Sequence, residues 1–255
     1  MKTSHSIIIL ALGILVLSSC SQSNSPITVN KSATYYGESQ PFANDSIRSW
    51  YKTDANGALT SIGVSFNQDA FSKLEMDTDV MLMMKLPNGI NSPSGWNFDH
   101  VEVDWVPKGD PKPSVYDIAH LDVHFFGVSE SEQMDIEGGA DLLTTNMPKS
   151  YLPSDYMLDA ESEAGMGVHA YDTTGKEYHG QPFDHSFVYG YYHGNLYFME
   201  PMVAKTYLDS KTNFSADIKQ PQSFRFPGAY PTKYNIRYDG SAKQYTISID
   251  NFIVH

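Results

Sequence analysis

The sequence predicts a mainly β protein, an antiparallel sandwich or barrel with a few short helices, and an α+β arrangement is the second choice. Three observations lead there. Apolar and polar residues alternate with period two, the alternating runs are short, and Gly, Asn and Asp punctuate them. At 255 residues the chain is long for one domain but ordinary for one β-rich domain. A single domain over residues 32–255 is the expectation.

In chain order, the predicted strands begin with Ser32–Glu38, Ile47–Thr53, Leu59–Phe66, Val80–Leu86 and Phe98–Val106. Asn56-Gly57 joins the second and third as a tight hairpin, because both residues tolerate the positive φ that such turns require. His120–Val128, Gly167–Tyr171, Ser186–Tyr192, Leu196–Glu200, Tyr234–Asp239 and Gln244–Asp250 follow. His193-Gly194-Asn195 turns one of these hairpins and Asp239-Gly240 turns the last. Helical signals are few. Asn67 can cap a short helix through Leu74, Ser129 or Ser131 can open one through Met134, and Pro201 can begin one running to Leu208. Pro87–Asn97 and Gly138–Glu163 read as long irregular stretches, which in a compact domain are often functional.

Composition narrows the functional classes. Asp and Glu number 30 against 17 Lys and Arg, a formal net charge of −13. A surface that tracks phosphates needs the opposite sign, so nucleic acid is not an expected partner. Cys20 is the lone cysteine, which excludes a disulfide framework and any multi-cysteine zinc site.

The amino terminus reads as an address. Lys2 and His5 precede the apolar run Ile7 to Leu17, which is well short of the ~20 residues of a spanning helix and suits the core of a signal peptide. The run ends in Leu17-Ser18-Ser19-Cys20, an apolar residue and two small ones before cysteine. That pattern resembles the bacterial lipobox, which implies removal of residues 1–19 and lipid attachment to Cys20. Residues 20–31 then form a polar tether, opening Ser21-Gln22-Ser23-Asn24-Ser25-Pro26. Ser21, in place of Asp, fits sorting to an outer membrane. The expectation is an exported, lipid-anchored protein of the cell envelope.

The segment His120-Leu121-Asp122-Val123-His124-Phe125 carries the chemistry. Residues two apart share a strand face, so His120, Asp122 and His124 form a coordinating row backed by Leu121, Val123 and Phe125. At ~3.3–3.4 Å per residue, His120 and His124 stand too far apart to grip one tetrahedral ion comfortably, and the pairs His120/Asp122 or Asp122/His124 are better placed. His169 and Glu200 can complete a site. Imidazole with carboxylate suits a divalent Zn, Fe or Mn ion rather than Ca. The competing reading is a satisfied polar network in which Asp122 fixes an imidazole tautomer. His100, His179, His185 and His193 fall at turns or strand ends and read as surface residues. Phe187, Tyr189 and Tyr191 share one face and read as sheet packing. Val80-Met81-Leu82-Met83-Met84, apolar on both faces, reads as a central strand in the core, with an adaptable binding wall as the alternative. Nucleophile-elbow, Walker, zincin and dinucleotide motifs are missing or incomplete.

His120-Leu121-Asp122-Val123-His124-Phe125, Gly167-Val168-His169, Tyr189-Gly190, Phe198-Met199-Glu200-Pro201-Met202 and Tyr230-Pro231-Thr232 run in order along the chain. With these pieces the sequence, over roughly residues 58–250, resembles a bacterial domain family of unknown function. Its namesake is a Thermus protein controlled by an extracytoplasmic sigma-E/anti-sigma-E pair. The resemblance implies an exported or envelope-linked domain that self-associates, and it assigns no catalytic residue. Three functions compete: a lipid-anchored envelope protein that binds a metal ion or small ligand, a homo-oligomeric envelope scaffold, and a metal-assisted hydrolase or lyase.

Overall fold

A computed structural model of the chain describes residues 31–87, 90, 96–110 and 115–255. The expected signal peptide, Cys20 and all of the tether except Lys31 lie outside the described residues, as does much of the Pro87–Asn97 stretch.

Two antiparallel seven-stranded sheets face each other, and neither closes on itself, so the architecture is a sandwich and not a barrel. The first sheet contains β1 (Ala33–Tyr36), β2 (Gln40–Phe42), β3 (Asp45–Thr53), β4 (Leu59–Asn67), β12 (Phe214–Asp217), β13 (Ala229–Asp239) and β14 (Gln244–Val254). The second contains β5 (Val80–Lys85), β6 (His100–Val106), β7 (His120–Phe126), β8 (Tyr156–Leu158), β9 (Val168–Asp172), β10 (His185–Tyr192) and β11 (Asn195–Ala204). The first sheet runs β1-β3-β4-β14-β13-β12 with β2 added on β3, and the second runs β5-β6-β7-β11-β10-β9-β8. Asn56-Gly57, His193-Gly194 and Asp239-Gly240 turn the β3/β4, β10/β11 and β13/β14 hairpins. Gly57 at φ +84° and Gly194 at φ +72° supply the left-handed backbone that two of these turns demand.

Period-two alternation becomes a shared core. Ile62, Val64 and Phe66 of β4 and Ile247 and Ile249 of β14 meet Val101, Val103 and Trp105 of β6 and Leu121, Val123 and Phe125 of β7. Aromatic rings stitch the layers together: Trp96 stacks on Tyr230 with centroids 5.1 Å apart, and Phe187 meets Tyr234 at 5.2 Å. Each such side chain, fully buried, contributes about 1.5–3 kcal/mol. Phe187, Tyr189 and Tyr191 belong to this core, as the alternation predicts.

Several elements differ from expectation. Val80–Lys85 is an edge strand with Met81 exposed, not a central one, so its run of methionines faces solvent in part. Pro201 does not open a helix. It lies within β11, and the helix that follows, α4 (Lys205–Asp209), begins after the strand ends. The other helices are short: α1 (Gln68–Phe71), α2 (Glu130–Met134) and α3 (Leu142–Thr145). Gly138–Glu163 is not wholly irregular, because it holds α3, a 3₁₀ turn over Lys149–Tyr151, and β8. Among the described residues no helix is long and apolar enough to cross a membrane.

The outer face of the second sheet is covered too. Tyr116, Tyr171, Phe183, Val188, Met202 and Ala204 form a second, smaller apolar cluster there. Gln133 of α2 is buried over β6. Strand β7 is therefore buried on both faces along its whole length, and its polar row is sealed between layers.

Candidate metal centre

Register assembles the site. On β6 and β7, Glu102 lies opposite His124 and Asp104 opposite Asp122. On the other flank of β7, Met199 faces Phe125 and Met202 faces Asp122, which sets Glu200 beside His124. The β11/β7 pairing skips Glu200 and Pro201 before resuming at Met202. A proline has no N–H to give the ladder, so a gap in pairing is expected at this point.

His169 reaches the same place from β9. Gly190 of β10 pairs with His169 on one side and Phe198 on the other. A Cβ on Gly190 would stand 2.0 Å from a Phe198 ring carbon. The missing side chain lets Phe198 lie against both imidazoles, 4.9 Å from His124 and 5.3 Å from His169. Gly167, at φ +94°, starts this turn of chain where a Cβ would strike the Tyr191 carbonyl at 2.5 Å.

Three constellations result. His124, His169 and Glu200 bring one ligating atom each within 4.8 Å of the others. Glu102, Asp104 and His124 do the same, and so do Asp110, His120 and Asp122. His124 belongs to the first two through different nitrogens. Its Nε2 is 3.5 Å from Glu200 Oε1, and its Nδ1 is 3.4 Å from Asp104 Oδ2. Neither contact has hydrogen-bond geometry. Glu102 Oε1, both Asp104 oxygens, His124 Nδ1 and Glu200 Oε2 are buried with no hydrogen-bond partner among the described residues. Leaving such groups uncompensated in an interior is costly.

Electrostatics separates ligand-competent residues from an ion pair. Burial drives His124 well below the usual imidazole range, and the neighbouring His169 and His100 push the same way. Burial likewise brings His169 down to about 4, against the opposing pull of Asp110 and Asp159. Both are neutral imidazoles at pH 7, the form that binds metals. Burial raises Asp104 to about 9, with Glu102 and Asp122 adding repulsion, and it raises Glu200 and Glu102 as well. His120 behaves oppositely. Burial works against its charged form, but Asp122 and Asp110 outweigh it, and the pKa is pushed up to about 11. Its Nδ1 bonds the Ile118 carbonyl at 2.6 Å, and its Nε2 lies 3.3 Å from Asp122 and 3.4 Å from Asp110. His120 is thus flanked by carboxylates that favour its charged form, although its Nε2 has no hydrogen-bond geometry to either of them and burial raises Asp122 as well.

Of the five residues expected from sequence, His124, His169 and Glu200 converge in one group, and His120 and Asp122 fall in another with Asp110. Glu102, Asp104 and Asp110 were missed, although His100-Val101-Glu102-Val103-Asp104 repeats the alternation of His120 to His124 one strand earlier. His100 is not a surface residue. It is fully buried, stacked on Phe126 at 4.8 Å, with Nε2 2.7 Å from the Gln133 side-chain oxygen Oε1. Gln133 in turn donates to Glu102 Oε2 at 2.9 Å. That link rests on a capping box: Ser129 Oγ accepts from the Glu132 amide, and the Glu132 carboxylate accepts from the Ser129 amide at 2.9 Å, which fixes α2. His185 is half-buried rather than exposed, whereas His179 and His193 lie at the surface as expected. Two surface clefts, one lined by Lys176, His185 and Tyr234 and one by Trp50, Arg237 and Asp250, include none of the converging residues.

No curated protein and no solved structure matches the chain. The motifs from His120 onward lie outside the one segment matched by a family model. Over residues 54–105, which carry Glu102 and Asp104, the chain is similar to the TTHB210-like family, described as "Hypothetical protein TTHB210".

Proposed function

We propose that this is a lipid-anchored protein of the bacterial cell envelope, sorted to the outer membrane through Cys20, that holds a divalent transition metal through His124, His169 and Glu200. One observation supports the metal reading above the others: two neutral buried imidazoles and a buried carboxylate bring their ligating atoms within 4.8 Å. Two histidines and one carboxylate make a donor set suited to Zn, Fe or Mn. Gly190, Phe198 and the ladder gap at Pro201 hold these side chains in place, the supporting shell that a metal site needs. Binding is favoured over turnover because His124 and Glu200 are each 2 % exposed, which leaves little room for a substrate.

Elemental analysis tests this directly. The full chain, purified in detergent without chelator, is expected to carry at least one equivalent of a transition metal, and added zinc should raise the melting temperature of stripped protein. Less than about a tenth of an equivalent of every such metal, with melting unchanged by zinc, overturns the reading.

A further inference from the structure

His124 offers both of its nitrogens to groups that lack partners. Nε2 lies towards Glu200, which groups with His169, and Nδ1 lies towards Asp104, which groups with Glu102. A proton on Nδ1 could serve Asp104 Oδ2, but the 3.4 Å separation lacks hydrogen-bond geometry. That proton would still leave Asp104 Oδ1 and Glu102 Oε1 unpartnered, on residues that are 7 % and 1 % exposed. A cation seated among Glu102, Asp104 and His124 would give one ligating atom of each residue a partner at once.

Resting on the metal reading above, we infer that the centre is dinuclear, with a second divalent ion held by Glu102, Asp104 and His124 Nδ1, and with the His124 ring bridging the two ions. Charge supports the pairing. Glu102, Asp104 and Glu200 as carboxylates, with His124 as imidazolate, carry four negative charges, the match for two divalent ions in a sealed interior. On loading, the ring releases its remaining N–H proton, the three carboxyl groups release the protons that burial favours on them, all to solvent, and each ring nitrogen lone pair binds one ion. Local order agrees. The Gln133 amide holds Glu102 Oε2 and leaves Oε1 as the free oxygen, an outer-shell restraint typical of ligating carboxylates. Asp110, His120 and Asp122 form a separate group and supply no ligand in this proposal.

Copper(II) is the probe. Stripped full-length protein in detergent is refolded with excess copper(II), desalted, and assayed for copper per chain and for integrated electron paramagnetic resonance. Two coppers per chain are expected, with an integrated signal far below two spins, because a bridging imidazolate couples the ions antiferromagnetically. Asp104→Asn is expected to bind one copper and show one full spin. One copper with one spin in the wild type overturns the second site and leaves the mononuclear reading intact. Two coppers with two full spins overturn the bridge. No bound copper overturns both readings. The wild-type measurement decides the matter even if Asp104→Asn does not fold.

Discussion

Burial disfavours the imidazolium of both His185 and His169, but only His185 stands apart from the proposed metal ligands, so its charge state can be tested cleanly. Its ring packs 3.8 Å from Phe214, its Nδ1 lies 3.2 Å from the Tyr234 hydroxyl, and burial lowers its pKa to about 4. Unfolded, the same group titrates near 6.5. Between those values the unfolded chain holds a proton that the folded one does not, so the associated stability is present above pH ~6.5 and lost as pH falls towards 4. The slope is at most about 1.4 kcal/mol per pH unit. Other groups titrate in this window, so the quantity to measure is the difference in urea unfolding free energy between wild type and His185→Gln. It should be flat above pH 7 and move against the wild type below 6.5. A difference independent of pH would mean that the ring is solvated. The same residues show how far a sequence can be read. The alternation at His120 to His124 identified a polar strand face, but only cross-strand register separates His124, a ligand candidate, from His120, an ion-pair partner. His100 looked superficial because it borders a loop. The covering by Gln133 that buries it comes from residues over thirty positions away.

Helix α2 spans only Glu130–Met134, too short to stand on propensity alone, so its cap should matter more than its residues. Ser129→Ala is expected to cost about 1 kcal/mol in urea denaturation, and Ser129→Asp should recover most of it, since aspartate caps as well as serine. Equal losses in both variants would show that the hydroxyl serves something other than the cap. The capping pattern was legible in advance because it is local, and so were the strands joined by Asn56-Gly57, His193-Gly194 and Asp239-Gly240. The strands that escaped notice lack such punctuation. Strand β2 turns into β3 through Ala43, which adopts φ +49° without glycine's freedom, and β8 is three residues within a long connection. Edge strand β12 is four residues long. Pro201 misled for a related reason. Proline more often begins a helix than sits inside a strand, and its place in β11 is tolerated where the ladder is already broken.

At the scale of the molecule, alternation was enough to give a β class but not to choose sandwich over barrel. Closure depends on whether β1 and β12, or β5 and β8, find each other, and no local signal encodes that. Charge at the same scale makes a demand on localisation. With a net charge of −13, the protein is repelled by anionic headgroups, so electrostatics cannot hold it at a membrane. Under the proposed envelope localisation lipid must supply the attachment, and one acyl chain gives only marginal binding whereas two or more anchor stably. The proposed anchor at Cys20 therefore predicts an intact mass for protein extracted from membranes that lacks residues 1–19 and carries the added mass of more than one acyl chain. Cys20→Ser should retain residues 1–19 and carry no such addition. Mass is the readout to prefer over partitioning, because the uncleaved variant keeps the apolar run Ile7 to Leu17 and stays membrane-associated for that reason alone. Wild-type protein recovered with an unmodified Cys20 would remove the lipid anchor, and any attachment left would have to come from a retained apolar run Ile7 to Leu17.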